Sequence, residues 1–178
     1  MRSMQALGFW KAVVADKADF LDRFVSLLGD QQIRFCVVGG QAVNAFVEPL
    51  VSLDLDLVVA ADHLPKLEQL LTDEYRIERF PHSLNVSAPG SDLRIQIQMD
   101  PRYLPFVDRA EPREVLGISF PVAQLEDVLQ GKVWATLDAQ RRPSMRRKDL
   151  LDIERLLEAY PSLRSQVPAE IQARLDAS

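Results

Sequence analysis

The stretch VVGGQAVNAFVEPLVSLDLDLVV, residues 37–59, contains the two features that decide the expected fold. An apolar run ends at two adjacent glycines, Gly39 and Gly40, and a second apolar run holds two aspartates, Asp54 and Asp56. Burial of a carboxylate in an apolar strand is costly unless another group pairs with it. The stretch therefore predicts a strand, a tight turn into a helix, and a second strand whose two acids need a partner.

The spacing of the two acids favours a metal site. Side chains alternate along a strand, so Asp54 and Asp56 point to one face, with Cα atoms roughly 6.5–7 Å apart. Mg²⁺ prefers oxygen ligands and bridges to substrate phosphates, which suits such a pair. The Gly39-Gly40 turn lets the backbone approach a ligand closely, and the following helix start offers N–H groups to an anion. Two alternatives stay open, since the glycines can form a simple turn and the aspartates can pair with an arginine.

The composition of the whole chain excludes several classes of protein. The chain has 178 residues, 47% of them hydrophobic, and a net charge of −5, which disfavours a general nucleic-acid binder coated in lysine. One cysteine, Cys36, and two histidines disfavour a disulfide framework and a zinc site. No signal peptide or membrane-spanning run is evident, so we expect a soluble cytoplasmic protein without a membrane partner.

The predicted elements change from mixed α/β to all-helical along the chain. We expect an α/β (α+β) fold, in which residues 1–120 form a small mixed twisted sheet of four or five strands with flanking helices. Residues 121–178 form a C-terminal helical part that packs on this core as one unit. The expected strands cover residues 34–38, 53–59, 76–80, 83–88, 93–99 and an edge strand at 117–120. The expected helices cover residues 16–28, 41–47, 62–71, 102–109, 122–137, 144–160 and a last one from 168. Asp16 is expected to cap the first of these helices.

The order of these motifs resembles the nucleotidyltransferase superfamily. The strand, the Gly-Gly turn, the helix and then SLDLDLVV are similar to the superfamily's glycine turn and acid-x-acid strand. KDLLDIERLL (148–157) and PVAQLEDVLQGKVWATLD (121–138) resemble helices of the bacterial minimal nucleotidyltransferases related to abortive-infection toxins. The resemblance covers roughly residues 33–160.

The resemblance implies transfer of a nucleotide from an NTP to a hydroxyl of an RNA, a protein or a small molecule. It implies that the two glycines hold the triphosphate, and that the two aspartates are catalytic and bind Mg²⁺ or Mn²⁺. Lys132 and Lys148 are candidates for phosphate contacts. Asp149 and Asp152 are candidates to line the cleft, or simply pair with nearby basic residues.

The sequence departs from the superfamily at the third acid expected on a neighbouring strand. The segment SDLRIQIQMD, residues 91–100, offers Gln96 first and Gln98 second at that position, with Asp100 further along the same face. A glutamine oxygen can ligate a cation but brings no negative charge and cannot act as a general base. Arg94 shares this face and is a candidate partner of Asp54 or Asp56 in the absence of a metal.

Three functional hypotheses follow. The chain is an active nucleotidyltransferase, a degenerate relative that binds a nucleotide or a partner without turnover, or one half of a toxin–antitoxin pair. The basic segment RRPSMRRKD, residues 141–149, is a candidate surface for tRNA, other RNA or an acidic partner protein encoded nearby. The same segment is also compatible with a solvated loop and helix start.

Overall fold

The computed structural model of the chain describes residues 5, 8–9, 11–12, 19–115 and 117–177. Within these residues seven strands form one mixed sheet, with the strand order β3-β4-β5-β2-β1-β7-β6. The strands are β1 (Phe35–Val38), β2 (Asp54–Val59), β3 (Arg76–Phe80), β4 (Ser83–Ser87), β5 (Arg94–Gln98), β6 (Glu111–Val115) and β7 (Ile118–Val122). β2 is parallel to β5 and β1 is parallel to β7, while the other neighbours are antiparallel.

Helices flank this sheet and make up most of the C-terminal part. They are α1 (Phe20–Asp30), α2 (Gly39–Asn44), α3 (Leu64–Thr72), α4 (Pro105–Arg109), α5 (Leu125–Leu137), α6 (Pro143–Ala159) and α7 (Ala169–Asp176), with 3-10 turns at Pro101–Tyr103 and Pro161–Gln166. The predicted fold class, a mixed twisted sheet followed by helices, is confirmed. No helix in the described part of the chain is long and apolar enough to cross a membrane.

The sheet is larger than the four or five strands that the sequence predicts. Of the strands in the described residues, β6 is the one that none of the six predicted strand segments covers. It lacks the apolar alternation of a typical strand, because four of its five residues are exposed and one of these is a proline. Its pairing with β7 also makes β7 an internal strand rather than the edge strand that was expected. The predicted division at residue 120 stays a prediction, although β7 straddles it, and the predicted helix cap at Asp16 lies outside the described residues.

The core surrounds the sheet and explains the alternation in β2. Leu55 and Leu57 are fully buried, whereas Asp54 and Asp56, on the opposite face, are half-buried. The register of the sheet then fixes the neighbours of the two acids. Val38, the last residue of β1, lies opposite Asp56 across the antiparallel ladder, so the chain reverses into α2 directly beside this carboxylate.

Hydrogen bonds connect the C-terminal helices to the segment that follows α2. The hydroxyl of Tyr160 donates to the carbonyl oxygen of Phe46 over 3.0 Å. The guanidinium of Arg155 donates to the carbonyl oxygen of Glu48 and to the side-chain oxygen of Asn44. These bonds position α6 over the turn that carries the glycines, and the cleft forms between them.

Candidate active site

The centre of the cleft is a contact between the glycine turn and Asp56. Gly39 has a φ of 68°, and a Cβ atom at this position would lie 2.1 Å from Oδ2 of Asp56. Only glycine therefore fits, for reasons of both backbone conformation and space. Gly40 is different, because a Cβ atom there would meet nothing within 4 Å. The two glycines predicted as one motif have separate requirements.

Each aspartate of the pair has its own electrostatic environment. Oδ1 of Asp54 accepts a hydrogen bond of 2.8 Å from Nε of Arg94, which lies opposite it in the β2–β5 register. The pKa of Asp56 is raised to about 6, chiefly by burial, with the charge of Lys132 opposing the increase, that of Asp54 adding to it and that of Arg141 opposing it. An arginine thus neutralises one acid, and the other keeps an unfavourable charge.

The expected third position holds glutamine in the structure. Gln96 lies opposite Asp56 in the parallel register, and both Gln96 and Gln98 line the cleft. Asp100 is turned away, because its carboxylate accepts from Nε and Nη2 of Arg102 at 2.9 and 2.7 Å, and it does not line the cleft. Among the described residues no group of three His, Cys, Asp or Glu side chains is placed to hold a metal ion.

Lys132 and two acids of α6 form a buried charge cluster on the helical side of the cleft. Nζ of Lys132 lies 2.9 Å from Oδ1 of Asp149 and 2.7 Å from Oδ2 of Asp152. Burial by itself would lower the pKa of Lys132, but the charges and hydrogen bonds of the two aspartates outweigh burial and raise it. Arg141 completes the cluster, with Nε 2.6 Å from Oδ2 of Asp149, and Arg155 pairs with Asp152.

The structure separates the four candidates of the helical part into two types. Lys132, Asp149 and Asp152 are buried and form ion pairs with one another, which is the pairing that the sequence left open as the alternative to a ligand role. Asp149 and Lys132 still line the cleft, whereas Asp152 does not. Lys148 is exposed at the cleft and makes no ion pair with any acid in the described part of the chain.

Several cleft residues were missed by the sequence reasoning. Arg141 was assigned only to a basic surface segment, but it is half-buried and faces the cleft. Asp127, in the first turn of α5, also lines the cleft and accepts two hydrogen bonds from Arg109, at 3.0 and 2.8 Å. The aromatic ring of Tyr103 closes one wall against Gly131, where a Cβ atom would approach the ring to 3.1 Å. One signal for Asp127 was available in the sequence, its place in the segment LEDV at residues 125–128, because acidic residues are favoured in the first turn of a helix.

The contact of Gly39 with Asp56 predicts opposite outcomes for two neighbouring substitutions. Gly39→Ala should destabilise the fold by about 1–3 kcal/mol, because the new Cβ meets a carboxylate in a conformation that L residues rarely adopt. Gly40→Ala is the matched control and should be neutral or stabilising by up to about 1 kcal/mol, as expected for alanine in a helix. Urea unfolding measures both, and equal effects would contradict the proposed contact.

The raised pKa of Asp56 predicts a pH-dependent effect of its removal. The folded state holds this proton more tightly than the unfolded state, so metal-free protein loses stability as the pH rises from about 4 to about 6. Asp56→Asn removes that loss, and its stability relative to wild type should increase by about 1–3 kcal/mol between pH 4.5 and 7.5 in EDTA.

Asp100→Asn provides the matched control for this pH dependence. The hydrogen bonds of Arg102 lower the pKa of Asp100, so its contribution is present above the ordinary aspartate pKa and is lost only as the pH falls through the lowered value. Its substitution should therefore change stability by the same small amount at pH 4.5 and at pH 7.5. Parallel pH dependences for the two variants in urea unfolding would contradict the assignment for Asp56.

Solved structures of other proteins share this fold. The chain is similar to the antibiotic-resistance factor ANT(2″)-Ia in solution, at 11% identity and a TM-score of 0.55, over 92% of this chain and 97% of that one. It is also similar to lincomycin-bound LnuA, a lincosamide antibiotic adenylyltransferase, at 15% identity and a TM-score of 0.52, over 76% and 95% of the two chains. An antigenic nucleotidyltransferase-like protein from Paracoccidioides brasiliensis matches at 19% identity and a TM-score of 0.52, over 94% and 86%. At these identities the likeness shows the nucleotidyltransferase fold alone.

A family model covers nearly all of the described chain. No curated protein matches this chain in sequence. The model described as "Nucleotidyl transferase AbiEii toxin, Type IV TA system" matches residues 20–177, which include the glycine turn, the aspartate pair and the helical cluster. The resemblance to the nucleotidyltransferase superfamily is confirmed, and the chain belongs to the AbiEii family of nucleotidyl transferase toxins.

Proposed function

We propose that this chain transfers a nucleotidyl group from an NTP to a hydroxyl acceptor, with Asp54 and Asp56 as the catalytic, metal-binding pair. One observation carries the proposal, the packing of the Asp56 carboxylate against the Gly39 turn. This packing puts a backbone that can approach a phosphate directly beside an acid that can hold a divalent cation. α2 has only six residues, so the N–H groups of the turn, rather than the dipole of a long helix, would contact the phosphate.

The donor groups at this site fit Mg²⁺ or Mn²⁺ that arrives with a nucleotide. Proteins usually hold Mg²⁺ with one or two carboxylates, and substrate phosphates and waters complete the shell. Asp54 and Asp56 would supply the carboxylates, and Gln96, opposite Asp56, supplies a neutral amide oxygen nearby. When bound, the cation would neutralise the charge of the phosphates as pyrophosphate leaves.

The residues of the chain then have distinct tasks in the transfer. The acceptor oxygen forms a bond to the α-phosphorus while the bond from this phosphorus to the leaving pyrophosphate oxygen breaks. The hydroxyl proton passes to a carboxylate of the pair or to solvent, because the Gln96 amide cannot accept it. Lys148 is exposed at the cleft and is the lysine we assign to the phosphates, whereas Lys132 holds Asp149 and Asp152 in place.

A nucleotide-binding protein without turnover is the second candidate function. The observation in its favour is the glutamine at the third position, because an amide adds no negative charge to the pair and cannot act as a general base. Such a protein would bind an NTP in the same cleft and would act on its partner by contact.

A label-transfer assay separates the two functions. The protein is incubated with each α-³²P-labelled NTP, Mg²⁺ or Mn²⁺, and tRNA, bulk RNA or a protein extract as acceptor. We expect transfer from at least one NTP, and Asp54→Asn and Asp56→Asn should each reduce it by at least about 100-fold, since each removes a charge that the cation requires. Asp100→Asn should retain transfer, because its carboxylate lies outside the cleft.

The outcome that contradicts the enzyme is also defined. If no acceptor is labelled while calorimetry shows that an NTP binds, the protein is a binder without turnover. Label transfer that persists in Asp54→Asn would show that the aspartate pair does not carry the reaction.

We also propose that the chain acts as the toxin of a pair whose antitoxin is encoded nearby, with tRNA, another RNA or a protein as the acceptor. The description of the family as type IV toxins supports this proposal. Induced expression of the wild-type chain alone should slow growth, and Asp56→Asn at equal protein level should not. Asp100→Asn is the matched control and should remain toxic. Equal growth of the wild-type and Asp56→Asn strains, with equal levels verified by immunoblot, would contradict the proposal.

A further inference from the structure

Arg94 pairs with Asp54, one of the two carboxylates that a metal ion would need. It lies on β5 directly opposite Asp54 in the parallel register, and its Nε donates to Oδ1 of Asp54 over 2.8 Å. The pairing places a positive charge on one carboxylate of the pair only. Within the described part of the chain Asp56 has no comparable bond, and the cations that act on it, Lys132 and Arg141, are engaged with Asp149.

We propose that Arg94 is a displaceable counter-ion, which leaves Asp54 when a divalent cation binds and then contacts the phosphates of the nucleotide. The inference rests on the proposed function, because it assumes that Asp54 is a metal ligand. It assigns to Arg94 a role in the binding of the metal ion and the nucleotide, in addition to its ion pair with the neighbouring strand.

The exposure of the two partners supports displacement. The side chain of Arg94 is 61% exposed and that of Asp54 is 26% exposed, whereas Lys132 and Asp149 are 8% and 2% exposed. An exposed ion pair contributes little free energy and opens readily, while a buried pair cannot be broken without leaving an unpaired charge. Asp54 lines the cleft and Arg94 lies on the strand beside it, so of these two pairs the Arg94 pair is the one that a cation can displace.

The chemistry of the guanidinium supports the proposed contact with the phosphates. A guanidinium and a divalent cation compete for the same carboxylate oxygens, so binding of the cation releases the arginine. The freed side chain keeps its charge at any physiological pH and presents a planar set of donors that matches phosphate oxygens. Since β5 lies beside β2, the released group remains next to the site where the triphosphate would bind.

Binding measurements without turnover test the exchange. Mn²⁺ alone is titrated by electron paramagnetic resonance into wild type, Arg94→Gln and Arg94→Lys. Arg94→Gln should bind Mn²⁺ about two- to fivefold more tightly, the range expected for loss of a competing exposed ion pair. Arg94→Lys keeps a competing charge and should stay near wild type. Arg102→Gln, which removes an exposed arginine paired outside the cleft, should leave Mn²⁺ affinity unchanged.

The second arm measures binding of a non-hydrolysable NTP analogue at a Mg²⁺ concentration that saturates the site of every variant, so that Arg94 is released from Asp54. Arg94→Gln should weaken this binding about two- to fivefold, because the nucleotide loses the phosphate contact that the released guanidinium would supply. The substitution would thus tighten metal binding and weaken nucleotide binding, a pair of opposite changes that a merely structural ion pair does not produce.

Each failure has a distinct signature. A Mn²⁺ affinity of Arg94→Gln equal to or below that of wild type overturns the exchange, and so does unchanged binding of the analogue at saturating Mg²⁺. If neither wild type nor Arg94→Gln binds Mn²⁺ even with the NTP analogue present, both the exchange and the metal site of the proposed function are wrong. Thermal unfolding of every variant verifies that the compared proteins are folded.

Discussion

The site depends on the close approach of the Gly39 turn to the Asp56 carboxylate. β1 and β2 are antiparallel neighbours, so the end of β1 must reverse its direction beside Asp56. A side chain at the reversal would occupy the position of the carboxylate oxygen, and only glycine allows both the turn and the acid. The fold thus brings a backbone turn and a charged group into contact, and both of them line the cleft.

The cleft contains two groups of charged side chains that are compensated to different degrees. Lys132 is buried between Asp149 and Asp152 and forms an ion pair with each, so it anchors α5 to α6 and fixes one wall of the cleft. Asp54 and Asp56 are less fully compensated, because the one exposed arginine, Arg94, pairs with Asp54 alone and the pKa of Asp56 is raised. The charges of this wall are therefore largely paired, whereas the aspartate pair opposite it keeps net negative charge, which is the property that our proposal of a cation site requires.

Local patterns in the sequence predicted the parts of the fold that depend on short-range chemistry. The strands around Gly39 and Asp54, the hairpin of β4 and β5, and the last helices follow from alternation, glycine and proline. β6 was missed because its pairing with β7, and not its own composition, makes it a strand. Asp100 points away from the cleft because it pairs with Arg102, and Arg141 reaches the cleft because it pairs with Asp149. Residue spacing does not encode such individual side-chain partners.

The glutamine opposite Asp56 has a consequence for how the site would be loaded. A third carboxylate would add negative charge, raise the pKa of Asp56 further and hold a free cation more firmly. With Gln96 in that place, two carboxylates attract the cation, and Arg94 already neutralises one of them. Such a site is expected to bind a free metal ion weakly and to gain most of its affinity from the phosphates that the nucleotide brings. Metal and nucleotide binding would then be strongly coupled, because each supplies charge that the other lacks.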